Sequence, residues 1–314
     1  MIEQEARRVL RIGTRGSKLA LWQAEHVAAL LRAAAPAVDV EIVQIRTSGD
    51  IDRTSPLAAI GGTGAFTKEI ERALLDRTAD IAVHSLKDLP TLVVPELTLA
   101  AVPVREDVSD ALVAPRHRSF KALPQGARIG TSSLRRSAIL QNMRSDLRIE
   151  PIRGNVETRL KLALDGTLDA VVLAYAGLSR LGLASFVDEK LEPPEFLPAV
   201  GQGALGIECR DDDESTKAVL NQLIDRSSFD SVIAERRLLA ELEGGCLIPL
   251  AAWGRRTGDG VLALNAALYS RDGRERIDAN ASGPTSDPAG LGLRTAQSLR
   301  DQGAESIIKA WRNA

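Results

Sequence analysis

Apolar and polar positions along this chain fall into two alternating periods. Val9-Leu10-Arg11-Ile12-Gly13-Thr14 has a strand pattern that runs into a polar turn. Ser17 stands where a helix N-cap is expected, and Leu19, Trp22, His26, Val27, Leu30 and Leu31 follow at close to helical spacing. Residues 40–45 read as a strand, 66–75 as a helix, and 80–85 as a buried strand with a polar end. The pattern then restarts: 127–133 is a strand meeting a helix start, 134–143 a helix, 148–152 a strand, 155–164 a helix and 169–174 a strand. Such alternation predicts parallel sheets with helices on their faces. Arg-Ile-Gly-Thr occurs at 11–14 and again at 128–131, each time between a strand and a serine-capped helix.

The expected fold class is therefore α/β, with two similar doubly wound domains and a small α+β domain at the C-terminus. The first domain spans 8–103 with 203–224, because 197–210 reads as a crossover that returns the chain to it. The second spans 104–202, and the third 225–314. In the third, a helix over 232–242 leads through a Gly-Gly-Cys turn to strands at 250–253, 262–269 and 276–281, and a helix over 288–302 closes the chain. Helix N-termini of the two α/β domains present free N–H groups, which suits a shared anion-binding cleft.

Composition narrows the function. A net charge of -2 is too near zero for a general nucleic-acid binder. No stretch approaches 18 apolar residues and the N-terminus lacks a secretory h-region, so a cytoplasmic protein with no membrane partner is expected. Two cysteines and three histidines cannot assemble a metal site, so no metal is expected. The cations are lopsided, 32 arginines to 8 lysines. Biased coding would enrich arginine, and so would a need for bidentate carboxylate recognition; only position separates the two.

Four places carry candidate chemistry. Cys246 follows two glycines in Glu243-Gly244-Gly245-Cys246, either displayed as a nucleophile or buried as a small hydrophobe; Cys209 lies in an apolar run and belongs to the core. Lys87 and Asp88 follow a strand end and precede Pro90, the usual place for functional groups in an open α/β sheet, although a surface ion pair reads the same way. Arg135 and Arg136 open a helix, where adjacent positive charges are locally unfavourable, so an anionic ligand explains them better. Arg153 and Arg159 flank another helix start, and Arg15 and Ser17 hold the matching place in the first domain. His84 is expected to pack behind the Lys-Asp pair, His26 to lie on an apolar helix side and His117 in an exposed turn.

Thr14-Arg15-Gly16-Ser17, His84-Ser85-Leu86-Lys87-Asp88-Leu89-Pro90, Gly130-Thr131-Ser132-Ser133-Leu134-Arg135-Arg136, Arg153-Gly154-Asn155-Val156, Leu197-Pro198-Ala199-Val200-Gly201-Gln202-Gly203 and Glu243-Gly244-Gly245-Cys246 together resemble the porphobilinogen deaminase (hydroxymethylbilane synthase) family, collinearly from about residue 8 onward. The resemblance implies a transferase that joins four porphobilinogen molecules head to tail and releases ammonia. It implies a dipyrromethane cofactor bound through a thioether to Cys246, and a monomer whose partner is its small-molecule substrate. It assigns Asp88 as the catalytic carboxylate. It gives the cofactor to Arg135, Arg136, Ser133, Lys87, Thr131, Ser132 and Arg159, and the substrate to Arg15, Ser17, Arg153, Arg159 and Arg180. Each pyrrole carries two carboxylates, which is a physical reason for so many arginines. A carboxylate at Asp88 would stabilise the azafulvenium cation left when ammonia departs.

Residues 47–64 form a long connection ending in glycines, so Gly61, Gly62, Thr63, Gly64 and Phe66 are expected to act as a lid. The family's loop lysines are absent from this stretch. Two other classes stay open. The paired domains also resemble type II periplasmic binding proteins, which would give a non-catalytic anion-binding protein; a cysteine hydrolase would need a histidine displayed like Cys246, and none is.

Overall fold

In a computed structural model of the chain, the described residues are 8–47, 67–92, 94–242 and 248–312. The chain divides into two compact units, Met1–Arg105 with Ala204–Phe229, and Glu106–Gly203 with Asp230–Ala314. Strands β1 (Arg8–Thr14), β2 (Val38–Gln44), β3 (Ile81–Ser85) and β4 (Leu97–Ala101) belong to the first unit. Then β5 (Asp110–Val113), β6 (Arg128–Gly130), β7 (Arg148–Glu150), β8 (Ala170–Ala174) and β9 (Glu189–Leu191) belong to the second. The chain returns to the first unit for β10 (Leu205–Arg210) and completes the second with β11 (Leu250–Gly258), β12 (Val261–Tyr269) and β13 (Arg276–Pro284).

The two five-stranded sheets have the same plan, β2-β1-β3-β10-β4 and β7-β6-β8-β5-β9. In each, three strands run parallel and the fourth runs against both of its neighbours: β10 against β3 and β4, β5 against β8 and β9. That antiparallel strand is the first after the chain crosses from one unit to the other, β5 beyond Arg105 and β10 beyond Gly203. The sheets are thus mixed, where periodicity predicts purely parallel ones. The difference lies in β5, whose four residues give too short a pattern to register, and in β10, whose stretch reads as a crossover.

Each sheet is covered on both faces. In the first unit Ile12, Ile81, Val83, Ile207 and Cys209 pack on Ala24, Val27, Ala28 and Leu31 of helix Lys18–Ala34. The opposite face carries Ala82 and Leu97 against Ile70, Ala73 and Leu74 of helix Lys68–Leu75. Period-two alternation sorts the residues of β5: Leu112 faces one cluster, Ala111 and Val113 the other. Cys209 is fully buried, as expected, and burial pushes its thiol up to about 11. Helix Lys18–Ala34 is turned from the expected face. Gln23, Ala24 and Val27 point inward, whereas Trp22 and His26 are exposed and stack with ring centres 5.0 Å apart. Small alanines let this helix sit close to the sheet, and the large aromatic is left outside.

In the second unit, β11, β12 and β13 form an antiparallel meander. One of its faces supplies Ala251, Ala267 and Tyr269 to the cluster built on Ile129, Ile139 and Val172. Its other face packs Leu250, Leu264 and Leu268 against Leu238, Leu291 and Leu299. Helix Pro288–Asp301 is not the last element, as the pattern predicts. Gly303 at φ +97 turns the chain into a further helix, Ala304–Arg312, which buries Ile307 and Ile308. Among the described residues no helix is long and apolar enough to cross a membrane.

The meander approaches helix Arg226–Glu241 closely at Gly254. A Cβ there would lie 2.7 Å from the Ser231 carbonyl oxygen, which is main chain and cannot step aside. Gly254→Ala is expected to destabilise the protein by about 1–3 kcal/mol through overpacking. Gly258→Ala, on the same strand with nothing within 4 Å, should stay within roughly 0.5 kcal/mol of wild type. Chemical denaturation of both variants checks this; equal midpoints would remove the close approach from the account.

Candidate active site

The first unit brings several expected residues to one place. β3 ends at Ser85 and continues into a single 3-10 turn, Leu86–Asp88. Leu86 anchors that turn: its side chain is buried and its N–H donates to the Ala204 carbonyl at 3.0 Å. Lys87 is half-buried and Asp88 exposed. A pocket of about 90 Å³ is lined by Arg15, Ser17, His84, Ser85 and Asp88 among others. Ser17 caps helix Lys18–Ala34 by accepting from the Ala20 N–H at 3.3 Å, so the helix N-terminus opens on this pocket. Gln23, also in the lining, donates to the Ser85 hydroxyl at 2.8 Å. His84 packs as expected: it is buried, with Nε2 3.3 Å from the Glu208 carboxylate of β10. Burial raises the nearby Glu71 carboxyl, and the charge of Glu208 adds to the effect. A larger hollow of about 460 Å³ beside β4 contains none of the expected residues, and its Lys217 is tied to Glu214 at 2.6 Å.

The second unit holds the arginines. β6 leads into Thr131-Ser132-Ser133 and helix Leu134–Met143, repeating the Thr14-to-Ser17 arrangement. All three hydroxyls serve this turn. Thr131 Oγ1 accepts from the Ser133 N–H at 3.2 Å, and Ser133 Oγ accepts from the Arg136 N–H at 3.4 Å. Ser132 Oγ donates to the Ile152 carbonyl and accepts from the Ile152 N–H, which ties the residue before Arg153 to the turn. Arg153 is half-buried; Arg159 Nε donates to the Gly154 carbonyl at 2.8 Å.

Arg135 and Arg136 are buried, and their first anion is internal. Asp110, fully buried at the start of β5, accepts from Arg135 Nη2 at 2.7 Å and from Arg136 Nε at 2.9 Å. Burial alone would raise the Asp110 carboxyl, but the two guanidiniums outweigh it and hold it below the usual carboxylate range. Burial pushes the Arg135 guanidinium down, and the charge of Arg136 works in the same direction against Asp110. Two guanidiniums on one carboxylate leave a net positive charge where water is excluded. Arg135 Nε is buried with no hydrogen-bond partner among the described residues. Arg180 is buried as well and donates from Nη2 to the Gly203 carbonyl at 2.6 Å.

Asp110, Gln202 and Glu235 hold this frame, and none was picked out from the sequence as a site residue. Their signal is a polar group in an apolar setting. Asp110 heads Ala111-Leu112-Val113, and Glu235 shares a helix face with Val232 and Leu238. Cys246, together with Gly61, Gly62, Thr63, Gly64 and Phe66 of the expected lid, lies outside the described residues.

Residues 10–218 match the family model described as "Porphobilinogen deaminase, dipyromethane cofactor binding domain", and residues 229–301 match "Porphobilinogen deaminase, C-terminal domain". A porphobilinogen deaminase of Maridesulfovibrio salexigens is 46% identical over 96% of this chain and 97% of its own. One from Nitratidesulfovibrio vulgaris is 48% identical over 95% of each chain. One from Acidithiobacillus ferrooxidans is 48% identical over 97% of this chain and 99% of its own. The motifs that build the pocket and the buried arginine frame all fall within these matches, and the chain belongs to the porphobilinogen deaminase family.

Proposed function

We propose that this chain condenses porphobilinogen molecules head to tail into the linear tetrapyrrole hydroxymethylbilane, on a dipyrromethane group carried by Cys246. The observation that carries the reading is the buried excess of positive charge around Asp110. An arginine pair that is only half neutralised in a dry site favours a second anion, and the carboxylates of a pyrrole chain provide one. The residues therefore fit the group, with Arg135 and Arg136 as its anion-binding partners and Arg180, at the end of helix Tyr175–Arg180, bonded to the same Leu197–Gly203 segment as Arg135. When bound, the dipyrromethane supplies the free pyrrole carbon on which the product grows.

In each cycle the aminomethyl C–N bond of one porphobilinogen would break, and its methylene carbon would be joined to an acceptor pyrrole carbon supplied by the bound group. The ring proton is lost and the amine leaves as ammonia, so the atoms balance without an oxidant or a metal. Asp88 stands exposed at the end of β3, beside Arg15 and the N-terminus of helix Lys18–Ala34. Its carboxylate accepts hydrogen bonds from pyrrole N–H groups and stabilises the cation formed on the substrate as ammonia departs. It can also take up the ring proton. Arg15 and the helix N-terminus hold the substrate carboxylates, which keeps them from pairing with the cation. Arg153 and Arg159 extend the anion-binding surface in the second unit.

Incubation with porphobilinogen tests the reading as a whole: ammonia release and a product that oxidises to porphyrin are expected. Asp88→Ala should fold normally and lose about two to three orders of magnitude in turnover. Turnover near wild type would exclude Asp88 as the catalytic group.

The attachment has its own test. Intact mass spectrometry of the purified protein is expected to show added mass that persists in Cys209→Ser and is absent from Cys246→Ser. Loss of that mass in the Cys209 variant alone would reverse the assignment.

A further inference from the structure

The segment Leu197–Gly203 touches three of the buried arginines of the second unit, Arg135, Arg136 and Arg180. Arg135 Nη1 donates to the Leu197 carbonyl at 2.7 Å, Arg136 Nη2 reaches Gln202 Oε1 at 3.5 Å, and Arg180 Nη2 donates to the Gly203 carbonyl at 2.6 Å. Gln202 is fully buried. Its amide nitrogen donates to the Val108 carbonyl at 2.8 Å and to Asp110 Oδ1 at 3.0 Å, so it also holds the carboxylate that holds the arginines. Gly201 and Gly203 have φ of +71 and +85, and a Cβ on Gly203 would meet the Glu106 carbonyl oxygen at 2.4 Å. The backbone is therefore confined to one narrow course here.

Glu235 fixes that course to the meander. It is fully buried within helix Arg226–Glu241, and its two oxygens accept from the Gly201 N–H and the Gly254 N–H, each at 2.7 Å. A carboxylate is costly to bury, and a backbone N–H needs only a neutral acceptor. The rigid spacing of two oxygens on one carbon does something more: it sets the loop at a defined distance from β11.

We propose that Gln202 and Glu235 are positioning residues for the anion-binding arginines, acting through the Gly201–Gly203 backbone and Asp110. The proposal rests on the reading of Arg135, Arg136 and Arg180 as binders of pyrrole carboxylates. Gln202 contributes a neutral amide at the one place where a second carboxylate would cancel the remaining positive charge. Glu235 keeps the carbonyl of Gly203 and the side chain of Gln202 in register with their guanidiniums.

Three variants of the full chain separate positioning from simple support: Q202E, E235Q and, as a control remote from the frame, Gly258→Ala. Q202E keeps the shape but brings a second carboxylate to Arg136. E235Q keeps the volume but leaves a backbone N–H facing an amide N–H. For each, intact mass gives the fraction of chains carrying the covalent group, thermal denaturation gives the folded state, and steady-state kinetics separate KM for porphobilinogen from kcat.

The expected result is that Q202E and E235Q melt as folded proteins. They should also lose the covalent mass on most chains, or show a KM raised at least about tenfold in the chains that carry it. The control should match wild type. Wild-type covalent loading and KM in both variants would overturn the proposal. So would losses that simply track the unfolded fraction, since those describe a supporting role. Should Q202E be recovered unfolded, Q202N, which keeps the amide but withdraws it by one methylene, is judged by the same criterion. If wild type itself neither carries the added mass nor consumes porphobilinogen, the functional reading fails, and that outcome is distinct from variants that behave like an active wild type.

Discussion

Asp110 has to be ionised in a place from which water is excluded, and much of the second unit is arranged around that requirement. Removing a carboxylate from water costs several kcal/mol, offset only where partners and geometry are good. Here the partners come from the first turn of helix Leu134–Met143 and from the loop ahead of β10. The same bonds therefore fix the start of the helix, the start of β5 and the course of the loop. Removing one partner would leave an uncompensated charge in the interior, so the elements are coupled more tightly than their apolar contacts require.

The two carboxylates that matter most sit in opposite surroundings. Asp88 is exposed on a short turn whose backbone is anchored by a buried leucine, so its oxygens remain available to a ligand. Asp110 is spent on internal guanidiniums and can organise only what lies around it. Identical side chains thus divide between availability to a ligand and organisation of the interior. The division follows from solvent exposure.

Much of this was legible in the sequence wherever cause and effect are close together along the chain. Ser17 and Ser133 cap the helices they precede, because a cap bonds three residues ahead. Adjacent arginines at a helix start pointed to an anionic ligand, and the anion the described residues place against them is Asp110. That the anion includes Asp110 was not visible, because the two lie 25 residues apart and meet only across the sheet. Glu235 was missed for the same reason, its partners Gly201 and Gly254 being 34 and 19 residues away. The inward face of helix Lys18–Ala34 was misjudged because the large Trp22 was counted among its apolar positions, while close packing on the sheet favoured Ala24 and Ala28. Strand direction, too, depends on where the chain re-enters a unit.

That re-entry bears on how the protein is made. β10 lies between β3 and β4, so the first sheet is in two pieces until the residues from Ala204 onward have been synthesised. The whole of Glu106–Gly203 must leave the ribosome in the interval, about 5–20 s at roughly 5–20 residues per second. During that time β3 and β4 present open edges lined with apolar side chains, the kind of surface that pairs with other chains. The β5 strand of the second unit waits for its neighbours β8 and β9, which complete that five-stranded sheet by Leu191. N-terminal position in this chain therefore does not confer early completion: the sheet of the unit bearing Asp88 is closed only by β10, after β9 has completed the five-stranded sheet of the second unit.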